Sequence, residues 1–193
     1  MKIGIDLDGV VFDTEMWWAT YAELYDCIQL NRNSLKNKTE PRVQDGYDWS
    51  DSELNEYLDR YLELKEFNVL AGVKEVVDLL KNDGHELIVI TARGCLGNSK
   101  NALSDAMNKL EKEDVKFDKY YWNQKEKLEI CKKEKIDVMI DDNYHICEAM
   151  ANAGINAVYF HSLNRKHLVE NDKLKEVSNW GEVYRYIKEI NEK

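Results

Sequence analysis

The chain has 193 residues, enough for one compact domain with room for an inserted subdomain. Hydrophobic residues make up 44%, and one Pro with nine Gly argues against a disordered or linker-rich protein. The net charge of −10, from 27 Lys plus Arg against 37 Asp plus Glu, excludes broad attraction for nucleic acid polymers and anionic membranes.

The segment Met1 to Asp6 lacks the charged-then-apolar pattern of a leader. No apolar run approaches the roughly 20 residues that span a bilayer. Cys27, Cys95, Cys131 and Cys147 are far apart and form no CxxC pair. A cytoplasmic protein with reduced thiols is expected, each cysteine serving as a buried or half-buried small hydrophobe.

The first element is a short apolar run, Ile3–Leu7, that reads as a buried strand. The next strong strand begins only at Leu87, and residues 13–70 are too many for one crossover. Within them Trp17, Trp18, Tyr21, Leu24, Tyr25 and Ile28 share one helical face. A polar loop from Asn31 to Trp49, with Pro41 and Gly46, leads to a second helix carrying Leu54, Tyr57, Leu58, Tyr61 and Leu62. Ser50 and Glu53 have capping-box spacing at its start. Residues 13–70 therefore read as a small helical cap inserted in a core made of residues 1–12 and 71–193.

Beyond the cap, Val73, Val76, Val77 and Leu80 form a helical stripe that Gly84 ends. Leu87–Thr91 is a strand, and Leu103, Ala106, Met107 and Leu110 form a second stripe. Phe117–Tyr121 is a weaker strand, and Val138–Ile140 a stronger one. Asn143 is placed to cap a helix bearing Ile146, Ala149, Met150 and Ala153, with Gly154 past its end. Ala157–Phe160 is the last strand, and Trp180, Val183, Ile187 and Ile190 line a terminal helix. Residues 161–178 carry no readable pattern. His161 and His167 within them read as isolated surface side chains. Alternating strands and helices predict an α/β fold, a Rossmann-like parallel sheet flanked by helices.

Ligands of such sheets collect at the carboxyl ends of the strands. Those ends carry Asp6 and Asp8, then Thr91-Ala92-Arg93, then Asp141-Asp142. If the first and fourth strands are neighbours, four carboxylates share one crevice. They repel unless a cation intervenes, and hard oxygen donors suit Mg²⁺. A carboxylate attacking phosphorus gives an acyl-phosphate, and Asp8 is placed to protonate the leaving oxygen and then activate water. Gly9 permits the sharp turn that faces N–H groups toward the phosphate. Arg93 suits either a phosphate contact or a loop brace.

Asp6-Leu7-Asp8-Gly9-Val10, Thr91 within Val89-Ile90-Thr91-Ala92-Arg93, and Ile140-Asp141-Asp142-Asn143 together resemble the motifs of the haloacid dehalogenase superfamily in its phosphatase form. Their order and the cap between the first two match over essentially the whole chain. The resemblance implies catalysis by Asp6 and Asp8, phosphate binding by Thr91, Ala92 and Lys127 (Lys125 being the alternative), and Mg²⁺ held by Asp6, Asp8 and Asp142. Asp141 would then stand behind Asp142 or act through a water. Asp13 would simply start the cap helix.

Within that superfamily the cap and the first motif are most similar to the 5′(3′)-deoxyribonucleotidase group, which implies a nucleoside monophosphate, or another small phosphorylated metabolite, as substrate. Trp18 and Trp49 are then the cap residues to hold it, since bases stack on such rings for roughly 1–3 kcal/mol each. A catalytically silent module of the same fold, or a scaffold using an apolar cap face, are the competing classes. Neither a membrane nor a nucleic acid polymer is expected as partner, and a homodimer is left open.

Overall fold

A computed structural model describes residues 1–40, 42–61, 67–95, 101–161, 163, 167–168 and 170–192. Pro41 and Leu62, assigned above to the cap loop and its second helix, lie outside the described residues.

Six strands, β1 (Lys2–Ile5), β2 (Glu86–Ile90), β3 (Lys119–Tyr121), β4 (Val138–Asp141), β5 (Asn156–Phe160) and β6 (Leu174–Val177), form one parallel sheet ordered β3-β2-β1-β4-β5-β6. The expected adjacency of β1 and β4 is present, Ile3 pairing with Val138 and Ile5 with Ile140. Chain direction across the sheet reverses between these two strands, where ligands of such folds bind.

Both faces of the sheet are covered, which is why its strands read as continuous apolar runs. On one face Ile3, Ile5, Leu87, Val89, Val138 and Ile140 pack with α3 (Val73–Asn82), α4 (Ala102–Lys112) and α7 (Trp180–Asn191). On the other, Ile88, Ile90, Met139 and Tyr159 pack with Cys131 of α5 (Lys127–Glu134) and with Cys147 and Met150 of α6 (Tyr144–Asn152). Asn143 caps α6 by accepting from the His145 N–H at 3.0 Å.

Three expectations need correction. First, β6 lies inside the segment left unread. Only Leu174 and Val177 point inward, and Lys175 and Glu176 between them hide the apolar signal of an edge strand. Second, the apolar run of the first strand overshoots its ladder. Leu7 is buried, but in a turn where its carbonyl accepts from Val10, Val11 and Phe12. Third, Cys27 is exposed, whereas Cys95 is half-buried and Cys131 and Cys147 are buried. All four thiols are free.

The cap holds α1 (Thr14–Leu24) and α2 (Asp51–Tyr61) around an aromatic cluster of Tyr25, Tyr47 and Tyr57 with Trp18 and Trp49. Ser50 and Glu53 close the capping box, the Ser50 N–H donating to Glu53 at 2.8 Å. The stripe expected on α1 is only partly inward, because Leu24 and Ile28 are 44% and 66% exposed. The buried face runs through Ala22 and Tyr25, and a π-helical turn at Tyr25–Gln29 continues α1.

The cap joins the core through two chain segments lying side by side. Phe12 and Val69 form an antiparallel bridge, and the Leu70 N–H donates to the Val11 carbonyl at 2.8 Å. Asp13 makes no side-chain cap on α1. Its carboxylate instead accepts from the Asn68 N–H at 2.6 Å, tying the two segments together. Among the described residues, no helix is long and apolar enough to cross a membrane.

Candidate active site

Where β1 ends, the Asp6 N–H donates to Ile140 of the neighbouring strand at 3.0 Å, so the residue is fixed beside β4 before its side chain is considered. The Asp6 carboxylate is nearly buried. Oδ1 accepts from the Leu7 N–H at 2.8 Å, and Oδ2 lies 2.8 Å from the Lys127 ammonium. Lys127, the first residue of α5, also reaches Asp141 at 2.7 Å. Asp141 is fully buried and uses its other oxygen to accept from the Asn143 N–H at 2.9 Å. Lys127 is thus the buried lysine of the site. Lys125 is exposed and lines only the cavity wall.

Three carboxylates, Asp6, Asp141 and Asp142, each offer an oxygen within 4.8 Å of the others. Burial pushes Asp6 up to about 6, the Lys127 charge opposing this and the Asp141 and Asp8 charges adding to it. Asp142 is also held well above the ordinary carboxylate range, by burial first and then by Asp141 and Asp6. Lys127 is desolvated too, yet its two carboxylate partners outweigh that and keep it charged. One ammonium among this much negative charge leaves the cluster short of cation, and its all-oxygen donor set fits a hard divalent ion such as Mg²⁺. Gly9 makes room for it. A Cβ there would fall 2.4 Å from Asp142 Oδ2, and its φ of +73° favours glycine.

Asp8 lines the same cavity as these three, and its carboxylate stands outside their 4.8 Å group. Arg93 grips it instead, Nε donating to Oδ2 at 3.1 Å and a terminal nitrogen donating to Oδ1. The guanidinium lies against both Phe12 and Phe67, 5.3 and 4.6 Å from their ring centres, and the two rings, one from each segment leading to the cap, touch each other at 4.7 Å. Arg93 therefore braces Asp8, a pairing across 85 residues with no local sequence signal. Thr91 is buried at the end of β2. Its hydroxyl accepts from the Arg93 N–H at 3.1 Å, and Ala92 is exposed at the mouth.

A cavity of about 490 Å³ opens over these groups, lined by Asp6, Asp8, Thr91, Ala92, Lys127 and Asp142 below. Its roof is the cap, through Glu15, Trp18, Arg42, Val43, Gln44 and Leu58. Trp18 thus lines the cavity, whereas Trp49 does not. It stacks on Tyr47 at 4.5 Å, and its indole N–H donates to Asp26 at 2.8 Å inside the cap. Arg42 and Gln44 carry no site signal in the sequence, because the 3₁₀ turn Val43–Gly46 and the extended residue before it have no apolar periodicity.

The chain shares its fold with solved structures over nearly its full length. A haloacid dehalogenase-like hydrolase from Streptococcus pneumoniae matches with a TM-score of 0.67 and 14% identity, over 96% of this chain and 97% of that one. A predicted phosphatase from Clostridium acetobutylicum matches with a TM-score of 0.67 and 15% identity, over 97% and 98%. A predicted phosphoglycolate phosphatase from Haemophilus somnus gives 0.58 and 14%, over 96% of each chain. No protein-family model matches the sequence. No curated protein matches it either. The architecture is the haloacid dehalogenase fold, an α/β parallel sheet flanked by helices.

Proposed function

We propose that the protein is a Mg²⁺-dependent phosphomonoester hydrolase of the haloacid dehalogenase superfamily, working through a phosphoryl group carried transiently on Asp6. The observation that supports it most is the Asp6 carboxylate itself, buried at the floor of a cavity between one ammonium and two further carboxylates. Solved structures of the same fold include proteins described as a hydrolase and as predicted phosphatases, which favours the same reaction class.

In this reading an Asp6 oxygen attacks phosphorus while the bond from phosphorus to the leaving oxygen breaks. Asp8 donates a proton to that oxygen and then takes one from the water that attacks phosphorus and frees Asp6. Arg93 holds the Asp8 carboxylate in place for both transfers. Lys127 and the Thr91 segment offset the negative charge of the transferred oxygens. Asp6 and Asp142 would hold the Mg²⁺ directly, Asp141 being committed to Lys127 and the Asn143 N–H. The ion would supply charge neutralisation between two anions that otherwise repel.

The substrate we infer is a nucleoside monophosphate. Trp18 offers a ring for a base, and Gln44 and Arg42 offer hydrogen bonds at the same roof. Release of phosphate from a panel of phosphomonoesters that includes ribo- and deoxyribonucleoside monophosphates tests both levels. Turnover lost in Asp6→Asn supports the mechanism. Turnover confined to sugar or organic-acid phosphates removes the nucleotide reading, and an inert wild type removes the enzyme.

A further inference from the structure

Two histidines that look isolated in the sequence meet at the far edge of the sheet. His161 follows β5, and its N–H donates to Val177 of β6 at 2.7 Å. His167 comes from the connection between those strands, and the two imidazole rings stand 4.5 Å apart. Both present Nδ1 to the same oxygen of Glu176 on β6, His167 at 2.6 Å and His161 at 3.7 Å. The ligand atoms of all three residues lie within 4.8 Å of one another.

We propose that His161, His167 and Glu176 form a second metal site, of the Zn²⁺ class, separate from the acidic cluster at β1 and β4. Two imidazoles and one carboxylate are a borderline-soft set that suits Zn²⁺ and its neighbours in the first transition row, and not Mg²⁺. Three protein donors leave a fourth position for water. Glu176 is also held as ligands usually are, by a hydrogen bond to the oxygen that does not bind. Glu176 Oε2 accepts from the Leu168 N–H at 2.9 Å, which turns Oε1 toward the rings. The Glu176 N–H donates to Glu170 at 3.0 Å. His161 and Glu176 are mostly buried, whereas the His167 side chain is 70% exposed and can complete the set from outside.

Tyr159 adds a separate observation. It pairs in register with Glu176, its ring lies 5.7 Å from that of His161, and it is fully buried with a hydroxyl that has no hydrogen-bond partner. A buried hydroxyl left unmatched on this face of the sheet is one that a bound water could satisfy. An ion here would fasten His167 to the end of β5 and to the edge strand β6.

The test uses full-length protein without a histidine tag, stripped by chelator and kept in excess Mg²⁺ so that the acidic cluster is occupied. Zn²⁺ alone is titrated against a chromophoric chelator, and Co²⁺ is added separately for its visible absorption. We expect one equivalent of Zn²⁺, a tetrahedral Co²⁺ spectrum and a raised melting temperature. His167→Gln, His161→Ala and Glu176→Gln should each weaken Zn²⁺ binding by more than about tenfold. The exposed His167 keeps the test sound if the two more buried replacements fail to fold. His145→Ala, which changes a histidine elsewhere, should bind as wild type. The proposal is overturned if wild type takes up no equivalent, if binding survives His167→Gln unchanged, or if Asp142→Asn abolishes it instead.

Discussion

The Nζ of Lys127 lies 2.8 Å from Oδ2 of Asp6, and both side chains are almost wholly shielded from water. A buried lysine so placed holds the carboxylate ready and orients it, while Asp141 on its other side prevents full transfer of that charge to Asp6. Removing the ammonium should leave buried carboxylates without a partner. Lys127→Ala is expected to lower kcat/KM by about 10²–10³ and stability by about 3–5 kcal/mol. Steady-state kinetics and urea unfolding read the two effects separately.

Asp6 should also destabilise the protein in the absence of a divalent cation. Asp6 is raised from 3.8 to about 6, so the folded state binds the proton more tightly than the unfolded state. Stability therefore falls as pH rises from 3.8 to about 6 and stays reduced above that, by about 3 kcal/mol at the pKa conversion factor. In chelator at pH 7.5, Asp6→Asn should melt several degrees above wild type, with the gap closing toward pH 4. A lower melting temperature for the variant at pH 7.5 would contradict this account of the cluster.

Gly9→Ala probes the cradle. Its Cβ would meet Asp142 Oδ2 at 2.4 Å and would sit at a φ of +73°. The carboxylate must move, so the Mg²⁺ needed for half-maximal activity should rise by more than about tenfold. Unchanged Mg²⁺ dependence with normal folding would remove Asp142 from the ion's ligands.

Arg93 is expected to act through Asp8. Arg93→Ala frees that carboxylate and uncovers the Phe12 and Phe67 rings, and kcat should fall by about 10–100-fold through lost positioning. Lysine cannot make the bidentate grip, so Arg93→Lys should recover little. A defect confined to KM would assign Arg93 to substrate binding instead.

The cap has its own acid limit. Burial raises Asp26, but donors from Ser34 and Trp49 and the charge of Arg32 more than offset this and hold it below 3.8. The stabilisation it contributes is present above pH 3.8 and is lost as pH falls through its lower folded value. Trp49 fluorescence should shift to the red below about pH 4, and Asp26→Ala should show the loosened cap already at neutral pH.

How much of this was legible follows from the range of the forces involved. Asp6, Thr91 and Asp141 were readable because each ends a continuous apolar run that only a strand covered on both faces requires. Lys127 was separable from Lys125 only in space, since both stand just ahead of the same run, Leu128 to Cys131. The Arg93–Asp8 grip, the inward turn of Trp49 and the meeting of His161 with His167 depend on packing between distant segments. The apolar residues of the first cap helix span too wide an arc for one buried face, so Leu24 within α1 and Ile28 in the π turn that follows it lie exposed.

The Asp13 N–H donates to the Asn68 carbonyl at 3.0 Å, so the chain leaves the sheet and returns to it at one point. Closing the core across that gap takes only a short turn, whose entropic cost is small next to that of the long loop it replaces. The cap is in this sense an exchangeable part. A lineage could trade its roof for another, and with it the molecules admitted, while leaving Asp6, Thr91, Lys127 and Asp142 in register.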